Sequence, residues 1–186
     1  DLKKDGYKSI YLALGAHTGI DLGIAGEDAI GVRQGVDFLR EVNLTGKTQV
    51  GKRVGIIGGG NVAIDVARVA LRMGAEEVSI IYRRTRNEMP AFEDEIHAAE
   101  EEGVKITYLA APDEILTTDR RISSLKVTRM ELGEPDNSGR RRPVPIEGSQ
   151  YEIKVDQLIQ AIGQRPDLSS LEKVTGLGMT RWNTIE

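Results

Sequence analysis

Between Val54 and Arg84 the order of residue types leaves little choice of local structure. Val54-Gly55-Ile56-Ile57 is a short apolar run, and Gly58-Gly59-Gly60 follows it. Asn61 to Met73 then carries apolar residues at helical spacing, and Glu77-Val78-Ser79-Ile80-Ile81-Tyr82 is a second apolar run that closes on Arg83-Arg84. The pattern predicts a strand over 53–57, a glycine turn, a helix over 61–73 with Val62, Val66, Val69, Ala70 and Met73 toward a sheet, and a second strand over 77–82. The turn fits G-x-G-x-x-A at Gly58, Gly60 and Ala63. In a strand–turn–helix setting each of these positions has a physical task. Gly58 lets the chain leave the strand tightly, Gly60 omits the side chain that would block a pyrophosphate, and Ala63 lets helix and strand approach closely. Asn61 and Val62 open the helix, so their amides face phosphate oxygens at the positive end of the helix dipole.

The end of the second strand selects between dinucleotides. A unit that binds NAD usually has Asp or Glu there to hold the ribose hydroxyls, whereas this chain has Arg83 and Arg84. Guanidinium forks suit a phosphate, so the exchange favours the 2′-phosphate of NADPH. Arg86 is a weaker third candidate.

Other elements follow in order. Gly31 to Val42 spaces Val32, Val36, Leu39 and Val42 as a helix, and 43–51 reads as a polar linker. Phe92 to Glu102 predicts an acidic helix and Val104 to Leu109 a third strand. Residues 118–154 lack helical periodicity and carry turn signals at Asp119-Arg120 and at Asp136-Asn137-Ser138-Gly139, which predicts an antiparallel ribbon ahead of the last parallel strand. Strand–helix alternation implies a parallel sheet with right-handed crossovers. The opening segment Tyr7 to Ala16 reads as a buried strand ending at Gly15, and Val155 to Gln164 repeats that grammar with Ala161-Ile162-Gly163. The chain starts at Asp1 and stops at Thr184-Ile185-Glu186, so it reads as a piece of a longer polypeptide.

Several chemistries are disfavoured. Lys and Arg number 25 against 29 Asp and Glu, a net charge of −4, which argues against a nucleic-acid partner. The chain has no cysteine, which excludes disulfides, a dithiol redox centre and cysteine-held iron–sulfur clusters within it. No signal peptide or long apolar run occurs, so the expectation is a cytoplasmic protein with no membrane partner. Gly46 to Arg53 imitates a phosphate-binding loop, but Arg53 replaces the required Ser or Thr and a strand follows. Tyr151 and Lys154 have the wrong spacing for a Tyr-x-x-x-Lys pair. His17 reads as a loop residue, His97 as an exposed member of the acidic helix, Arg140-Arg141-Arg142 as a ribbon tip, and Trp182 carries no assignment. No catalytic nucleophile–base pair and no metal constellation is expected.

Taken together, Gly58 to Ala63, Tyr82-Arg83-Arg84, Glu88-Met89-Pro90-Ala91, Glu101 to Val104 and Ala161-Ile162-Gly163-Gln164-Arg165-Pro166-Asp167 form an ordered set. This set resembles the NADPH domain of the glutamate synthase small subunit and related flavoprotein reductases, over nearly the whole chain. The resemblance implies a Rossmann-like parallel sheet with an inserted antiparallel ribbon, one of two dinucleotide-binding domains. It implies NADPH here, FAD in the full-length protein, and iron–sulfur clusters only in other regions or a partner. Gly58, Gly59, Gly60, Asn61, Val62, Arg83 and Arg84 map onto the NADPH site, and Ala161, Ile162 and Gly163 onto the crossing beside the nicotinamide–flavin junction. The implied organisation is a flanking segment over 1–50, the NADPH domain over 51–164 and a return toward the FAD domain over 165–186. The implied enzyme moves a hydride from NADPH to FAD, then electrons to clusters or to a large catalytic subunit; the fragment alone is expected to be inactive. A dinucleotide-sensing module without turnover is the alternative. Thioredoxin-reductase-like dithiol chemistry is opposed by the missing cysteines.

Overall fold

The computed structural model describes residues 2, 4–171, 174, 178–180, 184 and 185. The chain divides into two compact units, one formed by residues 1–18 with 164–186 and the other by residues 19–163.

The larger unit is built on a five-stranded parallel sheet. In chain order its strands are β2 (Val32–Gln34), β3 (Arg53–Ile57), β4 (Glu77–Tyr82), β5 (Lys105–Tyr108) and β10 (Gln157–Gln160), following the two-residue β1 (Thr18–Gly19). Their order in space is β2-β10-β3-β4-β5. Helices α1 (Gly35–Thr45), α2 (Asn61–Arg72) and α3 (Glu93–Glu101) make the crossovers that follow β2, β3 and β4. Between β5 and β10 the chain instead forms antiparallel strands β6 (Ala110–Thr118), β7 (Arg121–Pro135), β8 (Arg141–Pro145) and β9 (Tyr151–Lys154). From β3 the chain moves to β4 on one side and returns by β10 on the other, so the strand order reverses between β3 and β10. In open sheets of this kind, ligands bind beyond the carboxyl ends at that reversal.

Two cores explain why β3, β4 and β10 read as nearly unbroken apolar runs. Strand residues alternate between faces, and here both faces are covered. Val54, Ile56, Val78, Ile80 and Ile159 pack with Phe38, Ile64, Val66 and Ile96 on the helical side. Ile57, Ile81 and Leu158 pack with Ile115, Ile122, Leu125 and Val127 on the other. Helix α2 buries Ala63, Ile64, Val66, Ala67 and Ala70. The expected stripe is therefore shifted toward the alanines, whose small side chains allow close approach, while Val62 and Val69 pack from the flank. The P-loop look-alike is a connection: Gly46 is the left-handed C-cap of α1, and its N–H donates to Val42 O.

Three expectations give way. Residues 32–34 form a strand rather than the first turn of a helix, because Val32 pairs with Leu158 and Gln34 with Gln160; the pairing of β2 overrides the local helical spacing, and α1 begins at Gly35. The antiparallel sheet starts at Ala110, earlier than 118, because Asp119 and Arg120 (φ 52° and 63°) make the hairpin turn between β6 and β7. Residues 7–16 form no strand and are exposed, with Tyr11 at 92% exposure; a strand needs a hydrogen-bonding neighbour, and none pairs with them among the described residues.

In the smaller unit β11 (Gln164–Arg165) is followed by a single 3-10 turn at Ser169–Leu171. His17 is exposed in a loop, and Trp182 lies outside the described residues. No helix among the described residues is long and apolar enough to cross a membrane.

Candidate functional site

The carboxyl ends of β3, β4 and β10 carry the glycine turn, Arg83-Arg84 and Ala161-Ile162-Gly163. The three glycines of the turn differ in what requires them. Gly58 has φ +146°, and a Cβ there would stand 2.4 Å from Ala161 O. Only glycine adopts this backbone without strain. Gly59 lies under the Tyr82 ring, which a Cβ would meet at 2.5 Å. Gly60 has an ordinary extended conformation, φ −93° and ψ 175°, as the N-cap of α2. A Cβ at Gly60 would find no protein atom nearer than Pro90 Cγ at 3.9 Å. The protein itself thus requires Gly58 and Gly59, whereas the space at Gly60 is left open.

Helix α2 begins beside that open space without a side-chain cap. The Ala63 and Ile64 amides donate to Gly60 O at 2.9 and 3.3 Å. The N–H groups of Gly60, Asn61 and Val62 have no acceptor among the described residues. Orphan donors at the positive end of a helix dipole attract an anion. A pyrophosphate therefore fits this turn: amides are free, and the one Cβ that would exclude it is missing.

The loop after β4 is folded over the turn. Ala91 N–H donates to Gly59 O at 3.2 Å, Phe92 N–H to Asn61 Oδ1 at 3.0 Å, and Tyr82 O–H to Glu88 O at 2.6 Å. The loop is organised by a capping box in which Thr85 N–H donates to Glu88 Oε2 at 3.1 Å. Thr85-Arg86-Asn87-Glu88 matches the S/T-x-x-E signature, so this element was readable from the sequence. Asn61 thus contributes its amide to the turn and its side chain to the loop, and Pro90 is the wall facing Gly60.

The arginines separate into different roles. Arg83 is exposed and pairs with no carboxylate among the described residues. Arg84 is only 5% exposed, and its guanidinium is engaged within the fold. Its Nε donates to Arg141 O at 2.7 Å and its terminal nitrogen to Asp136 Oδ2 at 2.7 Å. Arg86 bridges Glu93 and Glu100 of α3 at 2.8 and 2.7 Å, which raises its pKa further above the ordinary arginine value. Of the three, Arg83 alone presents a free guanidinium to an incoming phosphate.

Asp136 sits in the turn that the sequence signalled, but its pairing with Arg84 had no such signal. Its Oδ1 accepts from Ser138 N–H at 2.8 Å and from the Ser138 hydroxyl at 2.5 Å, closing the turn at the tip of β7 and β8. These bonds, more than the nearby Arg84 charge, hold its carboxyl below the usual carboxylate range. Ala161 N–H donates to Ile57 O at 2.8 Å, which seats the end of β10 against the glycine turn, while Ile162 is exposed and Gly163 has φ +140°. His97 is exposed, 3.3 Å from Glu101, and no metal-binding group occurs among the described residues.

Comparison with known proteins gives the family and the fold. Residues 1–186 match the family described as pyridine nucleotide-disulphide oxidoreductase. The chain is 45% identical over 186 residues to the NADPH-Fe(3+) oxidoreductase subunit beta of Geobacter sulfurreducens, covering 98% of this chain and 28% of that protein. It is 41% identical over 136 residues to the glutamate synthase (NADPH) small chain of Azospirillum brasilense, covering 73% of this chain and 28% of that one. The resemblance read from the motifs is thereby borne out. Among solved structures, Mycobacterium tuberculosis FprA in complex with NADPH has a TM-score of 0.72 at 21% identity, over 90% of this chain and 51% of that chain, a likeness of fold. The chain spans 28% of the length of each of these two curated relatives.

Proposed function

Because the chain belongs to the pyridine nucleotide-disulphide oxidoreductase family over residues 1–186, we propose that it is the NADPH-binding portion of a flavin-dependent oxidoreductase. The complete protein passes a hydride from NADPH to FAD and then electrons to iron–sulfur clusters or a partner subunit, in the manner of the glutamate synthase small subunit. The observation that carries this reading is the open space at Gly60 beside the unpartnered amides of Gly60, Asn61 and Val62. Names of two relatives that include NADPH, at 45% and 41% identity, support the choice of cofactor.

In this reading the α2 amides hold the pyrophosphate and Arg83 takes the 2′-phosphate. Arg84 acts behind it, fixing the end of β4. Ala161, Ile162 and Gly163 line the nicotinamide end, where the exposed Ile162 side chain shields the ring from water. Bound there, NADPH supplies the hydride that FAD accepts. The chain needs no acid or base for this transfer, only position and charge. Such a domain works in the cytoplasm, where NADPH is the circulating reductant, and its main partner is the FAD-binding remainder of the polypeptide.

The test uses the complete protein that carries this chain. Under anaerobic conditions NADPH should bleach the flavin absorbance in a rapid mixing experiment, and NADH should do so far more slowly. Tight NADPH binding with no bleaching would favour a dinucleotide-sensing module instead.

A further inference from the structure

The Arg84 contact joins two parts of the chain that are distant in sequence. Arg84 lies 52 residues from Asp136 and 57 from Arg141, and it binds both. The ribbon tip it holds is closed by its own hydrogen bonds: Asp136 N–H donates to Arg140 O at 2.8 Å, Gly139 N–H to Asp136 O at 2.9 Å, and Asp136 accepts from Ser138. The tip carries Arg140, Arg141 and Arg142, and these arginines have different partners. Arg141 donates to Gly133 O and Leu132 O within the ribbon, at 3.1 and 2.5 Å. Arg140 Nε donates to Ser138 Oγ at 3.1 Å. Arg142 is exposed and pairs with no carboxylate among the described residues.

Two free guanidiniums are therefore sequence neighbours of the residues that make this part-buried contact. Arg83 precedes Arg84, and Arg142 follows Arg141, whose carbonyl Arg84 holds. Each free arginine starts one Cα–Cα step, about 3.8 Å, from an anchored residue. A ribbon whose only task was to cover the sheet would not need an ion pair, buried on the Arg84 side and half-buried on the Asp136 side, to the end of β4. Arg84 is buried, so loss of its carboxylate partner would leave a desolvated charge unpaired, which is costly.

Resting on the NADPH reading above, we propose that the ribbon supplies a second phosphate-reading arginine, Arg142, and that the Arg84–Asp136 pair is the latch that delivers it to the 2′-phosphate. The specificity for NADPH is then divided between the end of β4 and the inserted ribbon. Arg142 adds a charge-assisted contact that NADH, lacking the 2′-phosphate, cannot use. Arg84 and Asp136 are positioning residues that act through it.

The experiment measures dissociation constants for NADPH and NADH on the complete protein and on Arg142→Ala, Arg142→Lys, Asp136→Asn, Arg140→Ala and Arg83→Ala variants, each checked for unchanged melting temperature. Arg142→Ala should weaken NADPH binding about tenfold while NADH stays within about twofold. Arg142→Lys should recover part of the loss, and Asp136→Asn should reproduce it in the same direction. Arg140→Ala removes the same charge from the same tip and should leave the NADPH-to-NADH ratio unchanged. If Arg142→Ala leaves NADPH binding unaltered while Arg83→Ala weakens it, the ribbon proposal is overturned and the NADPH reading stands. A loss shared equally by both cofactors, or matched by Arg140→Ala, also overturns it. If neither Arg83→Ala nor Arg142→Ala changes the cofactor ratio, the NADPH reading fails with it.

Discussion

The two ends of the parallel sheet are built by opposite rules. At the amino ends, charged and polar side chains are paired off against the backbone. Arg53 grips Asp156 through Nε at 3.1 Å and a terminal nitrogen at 2.6 Å, while Arg53 N–H donates to the same carboxylate at 3.0 Å. Gly51 N–H donates to Gln157 Oε1 at 2.9 Å, and Lys52 pairs with Glu76 at 2.7 Å. At the carboxyl ends the side chains are removed instead. Gly58, Gly59, Gly60 and Ala161 clear the exits of β3 and β10, the first amides of α2 are left unpaired, and Arg83 stands free. Satisfied polar groups mark the end that only holds the fold together. Donors without acceptors mark the end where we place the dinucleotide.

The comparison can be broken most severely at Gly58. Gly58→Ala places a Cβ 2.4 Å from Ala161 O on a backbone at φ +146°. The expected loss is about 3 kcal/mol of stability, read as a lower midpoint in urea, with cofactor binding lost along with the fold. Gly60→Val separates ligand from fold, because a Cβ there comes no nearer than 3.9 Å to Pro90 Cγ. NADPH and NADH should both bind about a hundredfold more weakly in calorimetric titrations, while the urea midpoint changes little. Arg83→Ala should weaken NADPH about tenfold and NADH hardly at all, which assigns Arg83 to the phosphate that distinguishes them.

The smallest effect belongs to the amino end. The hydrogen bonds from Arg53 hold the Asp156 carboxyl below the usual carboxylate range, against the desolvation that opposes it. A depressed folded-state pKa contributes stability that is present above the unfolded value of about 3.9 and is lost as pH falls through the folded value. With side-chain exposures of 42% and 37% the pair is well screened, so Asp156→Asn should cost only about 0.5–1 kcal/mol at pH 7. The gap from the parent should close as the pH drops below about 4, with NADPH affinity unchanged throughout.

What the sequence disclosed follows from how local each interaction is. Strands β3 and β4 fall at the expected residues, because an apolar run buried on both faces and a glycine turn are short-range signals. Helix α3, expected as an acidic helix over 92–102, falls within a residue of that range at each end. Strand β2 was not legible, since its three residues become a strand only by pairing with β10, more than a hundred positions away. Residues 7–16 misled in the opposite way: their composition suits a strand, but a strand depends on a neighbour. In the site, the tight turn at Gly58 and the open space at Gly60 are where the motif puts them. The division between Arg83 and Arg84 was not legible, because nothing near Arg84 in the sequence announces that Asp136 and Arg141 will claim its guanidinium. Adjacent residues of one type were expected to share one task, and the tertiary contact split them.

The most direct measurement is a crystal structure of the complete protein with NADP+ bound. The account expects the pyrophosphate oxygens within about 3 Å of the Asn61 and Val62 amides, the diphosphate passing over the bare Cα of Gly60, and the 2′-phosphate against Arg83. A dinucleotide bound elsewhere, or one whose pyrophosphate avoids α2 and leaves Arg83 in solvent, would contradict it.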